Sequence, residues 1–220
     1  MRGSAPSDDG GARADREARL DVAAIVARAR AAQGPDGRLP HGDMVGWEIF
    51  PFEVDGLRLR ALEDPVPEPP RSGDDPAECT ICAAPDSDYA WTDGTWRLRE
   101  GTDVRVPMLL LEPRAHVDLG DLDDEQAGAL GRMVVRVERA LAAVPGVARV
   151  HVHRWGDGAA HLHVFFLARP EGLRQMRGVT MPVWANHLSP LPAEEWRAIV
   201  DAVVARLEGG RECRGGARPL

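Results

Sequence analysis

Residues 149–167 read Arg149-Val-His151-Val-His153-Arg-Trp-Gly-Asp-Gly-Ala-Ala-His161-Leu-His163-Val-Phe165-Phe-Leu167. In a strand, alternate side chains share a face, so His161, His163, Phe165 and Leu167 fall on one side and Leu162, Val164 and Phe166 on the other. The same rule puts His151 and His153 together on the preceding strand. Gly156-Asp-Gly158 is the turn between them, which predicts a hairpin with up to four imidazoles on one patch of sheet. A single strand histidine is ordinarily a half-exposed residue with satisfied hydrogen bonds. Four of the chain's seven histidines within thirteen residues, in alternation, point to a site.

Working outward, residues 106–112 are almost continuously apolar and predict a central strand, with Pro107 limiting where its ladder begins. Residues 89–92 and 95–99 flank Asp93-Gly94, a second hairpin signal. Residues 47–53 and 57–62 around Val54-Asp55-Gly56 predict a third. Residues 63–76, dense in Pro, Asp and Gly, read as a surface loop. An acidic opening from Asp121 suits the start of a helix, whose core face runs Leu130, Met133, Val134, Val137 and Leu141 before Pro145-Gly146. A last helix over about 193–207 presents Trp196, Ile199, Val200, Val203 and Val204. Near the start, Leu20, Ala23, Ala24, Val26 and Ala27 recur at helical spacing up to Gly34-Pro35.

Hairpin strands with separated helices predict an α+β fold: an antiparallel sheet of about five or more strands with helices packed on it, plus an N-terminal helical extension. The domain reading is a disordered start and helical extension over 1–45, an α+β domain over 46–208 and a flexible tail over 209–220.

Composition narrows the function classes. The 220 residues are 44% hydrophobic and 28% charged, with a formal net charge of -8. That charge argues against nucleic acid or an anionic membrane surface as the main partner. No run approaches the roughly 20 apolar residues of a membrane span. The opening residues carry no apolar segment of the secretory kind, so the expected setting is cytoplasmic. All 27 basic residues are Arg, which removes Schiff-base and P-loop lysine chemistry. The cysteines number three: a Cys79-x-x-Cys82 pair and Cys213 in a Gly/Arg-rich tail. An odd count makes a disulfide framework a poor reading and leaves the pair as a metal clip or a redox couple. The redox alternative calls for a helix start beside a βαβ unit, which the pattern lacks.

His161-Leu-His163-Val, after an apolar strand, resembles the core of the histidine triad superfamily signature, His-φ-His-φ-His. Three other stretches fall in that family's order. Cys79-Thr-Ile-Cys82 resembles its early cysteine pair, Leu110-Leu-Glu-Pro-Arg-Ala-His116 its strand ending in Pro-Lys/Arg-x-His, and residues 121–141 its following helix. The resemblance spans residues 78–178, with Gly172-Leu-Arg-Gln-Met a weaker echo. It implies a histidine-triad-like fold and, by similarity to the zinc-bearing branch that includes galactose-1-phosphate uridylyltransferases, a metal set of Cys79, Cys82, His116 and His161. A Cys2His2 set fills a tetrahedral zinc site with no open position, so the implied zinc is structural.

The resemblance also implies that His163 attacks the α-phosphorus of a nucleotide ester or amide, forming a nucleotidyl-histidine intermediate. Here the chain departs from the pattern. The third signature position is Phe165, which has no proton to donate and cannot stabilise developing negative charge. Two readings follow. In one, an enzyme, a nucleotide hydrolase or nucleotidyltransferase, replaces the lost donor with His153 or His151, while Arg154, Arg169 or Arg174 contributes phosphate contacts. In the other, the domain binds a nucleotide or a protein without chemistry. Homodimerisation is an expectation the resemblance alone supplies. The six Trp residues could line a pocket or fill the core, and the core is the expectation.

Overall fold

The computed structural model describes residues 30–31, 33–38, 64–174, 176–186 and 190–209. The expected N-terminal helix, the hairpin over 47–62 and the tail with Cys213 lie wholly or largely outside them. Chain contacts divide the molecule into two units, Met1–Gly42 with Asp55–Pro67 and Asp43–Val54 with Glu68–Leu220. Within the first, Arg30 is paired with Asp64. Everything that follows belongs to the second.

Its sheet has five antiparallel strands, β1 (Trp91–Thr92), β2 (Trp96–Glu100), β3 (Met108–Pro113), β4 (Val147–His153) and β5 (Val164–Pro170), in the order β1-β2-β3-β5-β4. The apolar run does become the central strand, and its ladder starts immediately after Pro107. A one-turn helix α1 (Thr80–Ala83) precedes the sheet. Helix α2 (Asp124–Ala142) lies between β3 and β4, and α3 (Met181–Asn186) and α4 (Ala193–Gly209) follow β5.

Helix α2 opens three residues later than its acidic run suggests, because that run makes two caps. Asp118 and Asp121 form a capping box on a short 3-10 turn, Leu119–Asp121. Asp123 then accepts from the Gln126 amide while Gln126 accepts from the Asp123 amide. The expected core face is the one observed: Met133, Val137 and Leu141 are buried, with Leu130 and Val134 packed against them.

Strand alternation sorts the two faces of the sheet. Leu98, Leu109, Leu111, Val164, Phe166 and Ala168 form the core with α2 and with Trp196, Val200, Val203 and Leu207 of α4. The opposite face carries Arg97, Arg99, Glu112, His151, His153, Phe165 and Leu167, and a smaller cluster in which Met176, Met181 and Ala185 pack on Val106 and Leu167. Trp91, Trp96 and Trp196 are core residues, as expected, whereas Trp155 is 41% exposed.

The segment His161–His163 is a difference from the sequence expectation. It approaches the sheet but does not join it, for β5 begins at Val164. Its backbone is engaged elsewhere: Leu162 N–H donates to Val117 O at 2.8 Å, and Ala160 N–H to Ser72 O at 3.0 Å. Loops, not a neighbouring strand, pair with the backbone of this segment.

Candidate metal cluster and histidine face

The thiols of Cys79 and Cys82 are brought together by the turn they flank. Cys79 caps α1, its sulfur accepting from the Cys82 amide at 3.5 Å. Gly73 allows the preceding loop to close on that sulfur. Its φ is +81°, and a Cβ there would meet Cys79 Sγ at 3.2 Å. The loop is fixed in turn by a parallel bridge between Ser72 and Ala159.

His161 completes the interior half of the cluster. It is fully buried, and its Nε2–H donates to Pro113 O at 2.9 Å. That acceptor lies just beyond the last β3–β5 partners, Leu111 and Val164, so the imidazole takes over where the ladder stops. Because Nε2 holds the proton, Nδ1 presents its lone pair to sulfur: Cys79 Sγ at 3.6 Å and Cys82 Sγ at 3.4 Å. His116, after β3, puts its own Nδ1 3.3 Å from Cys82 Sγ. The two imidazoles meet edge to face, with centroids 5.3 Å apart.

All four ligand atoms lie within 4.8 Å of one another. Tetrahedral zinc, with bonds of roughly 2.0–2.3 Å, sets sulfur–nitrogen edges of about 3.5 Å, so the three separations above fit that geometry. The chemistry of the donors fits as well. Burial holds His161 below the ordinary imidazole range, in the neutral form that ligates. Burial, with the neighbouring Cys79 thiol adding to it, pushes the Cys82 thiol up. A bound cation is what would reverse that and hold both sulfurs as thiolates. The four residues could therefore hold a metal, with no position left for substrate.

Under the cysteine turn sits a polar group that sequence reading missed. Buried Arg97 donates to Ala84 O at 3.1 Å and Ile81 O at 2.9 Å, bonding one carbonyl of α1 and that of its C-cap residue. Tyr89 lies between Arg97 and Arg99, with guanidinium carbons 4.5 and 4.7 Å from its ring centroid. The Tyr89 hydroxyl donates to buried Glu112 at 2.9 Å, and Arg99 pairs with the same carboxylate at 3.3 Å. The alternation Trp96-Arg-Leu-Arg was the available signal for a buried polar face.

Asp118 was also missed. It accepts from Arg71 at 2.7 Å and pairs with Arg154, while Arg71 also donates to Gly156 O at 3.2 Å. One carboxylate thus joins three segments: the loop leading to Cys79, the residues after His116 and the loop leading to His161. Burial alone would raise its carboxyl, but the bonds from Arg71, the Leu119 amide and Arg154 bring it down to about 2. Arg154, a candidate phosphate ligand by sequence, is thereby occupied with Asp118. Arg169, another, donates to Pro170 O and Leu173 O at 3.4 and 3.3 Å.

His163 is different from His161. It is 7% exposed, and its Nδ1–H donates to His161 O at 2.8 Å. A carbonyl only accepts, so in the neutral ring the lone pair is on Nε2. The His163 ring meets Phe165 edge to face at 5.3 Å. Next to Phe165, at 5.0 Å, is Trp155, which stacks on His153 at 4.7 Å; His151 stacks on His153 at 6.0 Å. Of the four imidazoles expected on one patch, His151, His153 and His163 are linked in one row, with Trp155 and Phe165 between His153 and His163, while His161 turns to the cysteines. Burial holds His151 and His153 below the ordinary imidazole range, and Nε2 of each is enclosed with no hydrogen-bond partner among the described residues. A cavity of about 510 Å³ opens at the start of α2, lined by Trp96, Arg114, Val117 and Gln126 among others, and no histidine lines it.

No family model and no curated protein matches the chain. Solved structures do. It is similar to a histidine triad protein from Bradyrhizobium japonicum at 26% identity, covering 55% of this chain and 91% of that one, with a TM-score of 0.46. It is similar to a Zn-bound histidine triad family protein from Mycobacterium smegmatis at 19% identity, covering 61% and 98%, also with a TM-score of 0.46. A third, described as a hypothetical histidine triad nucleotide-binding protein, is from Sulfolobus tokodaii: 14% identity, 64% and 99% coverage, TM-score 0.48. No helix among the described residues is long and apolar enough to cross a membrane.

Proposed function

We propose that this chain is a histidine-triad-like nucleotide-binding protein that acts as a nucleotide hydrolase or nucleotidyltransferase, with a structural zinc of the uridylyltransferase-like kind. The observation that carries the reading is the Nδ1–H bond from His163 to the His161 carbonyl, which leaves Nε2 as the lone-pair nitrogen. An imidazole with its lone pair on Nε2 is a nucleophile, and the hydrogen bond already orients this ring.

In this reading Nε2 of His163 attacks the α-phosphorus of a nucleotide ester or amide. The bond from phosphorus to the leaving group breaks, and the leaving group departs with the electron pair. Water or another acceptor then attacks the nucleotidyl-histidine, loses its proton, and frees the neutral ring. His153 or His151 stands in as donor where the signature has Phe165. Cys79, Cys82, His116 and His161 would hold a structural zinc, which would pin the segment that carries His163. The ligand is a nucleotide or nucleotide-like small molecule rather than nucleic acid, in a cytoplasmic setting, and sedimentation tests the homodimer that belongs to the same reading.

Intact-mass measurement after incubation with nucleotide esters and phosphoramidates tests the chemistry. A nucleotidyl adduct is expected, with turnover reduced at least roughly a thousandfold in His163→Ala. Phe165 specifically favours a second reading, a domain that binds a nucleotide or a protein without turning anything over. Saturable nucleotide binding with no adduct across the panel would establish that reading in place of the first.

A further inference from the structure

Five rings occupy alternate positions of two neighbouring chain segments: His151, His153 and Trp155 on one, Phe165 and His163 on the other. Their centroid separations of 6.0, 4.7, 5.0 and 5.3 Å make an unbroken row that ends at the reactive imidazole. Trp155 is the anomaly in it. The other described tryptophans with a burial value are at most 8% exposed, and Trp155 is 41% exposed. Leaving that much indole in water forgoes favourable burial. It is nevertheless not a loose surface side chain. His153 lies parallel to it, 9° from coplanar, and Phe165 supports its edge. Period-two alternation continues through His151, His153 and Trp155, so strand geometry carries the indole onto the His163 side of the sheet even though β4 ends at His153.

We infer that the Trp155–Phe165 surface is a stacking subsite for a planar aromatic ring of the ligand, next to His163. The subsite lies one ring away from the nucleophile, and Phe165 makes the link. At the third signature position a histidine would offer a hydrogen-bonding edge; phenylalanine offers an apolar face continuous with Trp155. Burial also disfavours the charged form of His151 and His153 in the row. The ring can come from a nucleobase or from an aryl leaving group, since both offer the same π-face. The inference rests on the functional reading only for its placement beside a nucleophile.

The test is calorimetric titration of the zinc-loaded full chain and its Trp155→Ala and Trp155→Phe variants. Probes are adenosine 5′-monophosphate, ribose 5-phosphate and phenyl phosphate. Trp155→Ala is expected to weaken binding of at least one ring-bearing probe roughly tenfold, with ribose 5-phosphate unchanged, and Trp155→Phe to restore most of the loss. An effect on adenosine 5′-monophosphate alone assigns the ring to the base; an effect on phenyl phosphate alone assigns it to the leaving group. Equal losses for all three probes, or no loss for either ring-bearing one, would overturn the subsite. Unchanged melting of Trp155→Ala excludes a folding artefact. Trp155-dependent binding without any His163 adduct would keep the subsite and discard the enzyme reading, so the two fail separately.

Discussion

His161 and His163 are two residues apart in one extended segment, both buried and both hydrogen-bonded to a backbone carbonyl. In His161 the carbonyl of a distant strand takes Nε2–H and Nδ1 turns to two sulfurs, so every ring nitrogen is used. In His163 the nearest carbonyl takes Nδ1–H and Nε2 keeps its lone pair. One ring closes a cluster; the other ends a row of aromatic rings. Which carbonyl captures which nitrogen decides which ring nitrogen is left over, Nδ1 in His161 and Nε2 in His163.

Breaking the cluster side is expected to have the largest effect on folding. Cys79→Ser should lose the metal and at least about 3 kcal/mol of stability, lowering the thermal midpoint by roughly 6–12 °C. Metal analysis and melting check it, and chelation of the unaltered chain should give a similar drop. His163→Ala should keep its metal while losing chemistry. Should Cys79→Ser retain one zinc per chain, the ligand set would be wrong.

Asp118→Asn probes what joins the ligand-bearing segments when no metal does. Its carboxylate faces two guanidiniums, and only 22% of the side chain is exposed. Removing its charge is expected to cost about 2 kcal/mol and to speed zinc loss to a chelator. Stopped-flow release with a chromogenic chelator reads the second effect. Release at the unaltered rate would mean that the cluster is positioned without this cross-link.

The smallest effect concerns the ring row and pH. His151 is held below the ordinary imidazole value of 6.5 by burial, with His153 and Arg169 adding to it. A depressed folded-state value means the unfolded chain takes up this proton first. The contribution is therefore fully present above pH 6.5 and is lost as pH falls below it. Urea unfolding between pH 7.5 and 5.5 should show declining stability, with a shallower decline in His151→Gln. Identical slopes in the two proteins would show that His151 is not the group responsible.

Alternation made much of this legible from residues alone. The shared face of His151, His153, Phe165 and Leu167 followed from period two, and the core face of α2 followed from helical spacing. The grouping of Cys79, Cys82, His116 and His161 came from resemblance to a known motif order, because nothing local connects a cysteine turn to a histidine 79 residues away. The Arg71–Asp118–Arg154 cross-link left no trace for the same reason: its partners are 47 and 36 residues apart. Trp155 was grouped with the core because indoles are mostly buried, and its exposure depends on where β4 stops.

The sequence by itself determined which side chains of a strand share a face, where helices α2 and α4 begin and end to within a turn, and that lysine chemistry is absent. Those are short-range consequences of backbone period, capping and composition. Only the tertiary structure decided which ring nitrogen each of the two neighbouring imidazoles commits to a carbonyl. A histidine's free nitrogen is set by where a hydrogen-bond acceptor sits, and here one acceptor, Pro113 O, is supplied by a strand 48 residues away. Sequence spacing carries no information about such a contact until the chain has folded.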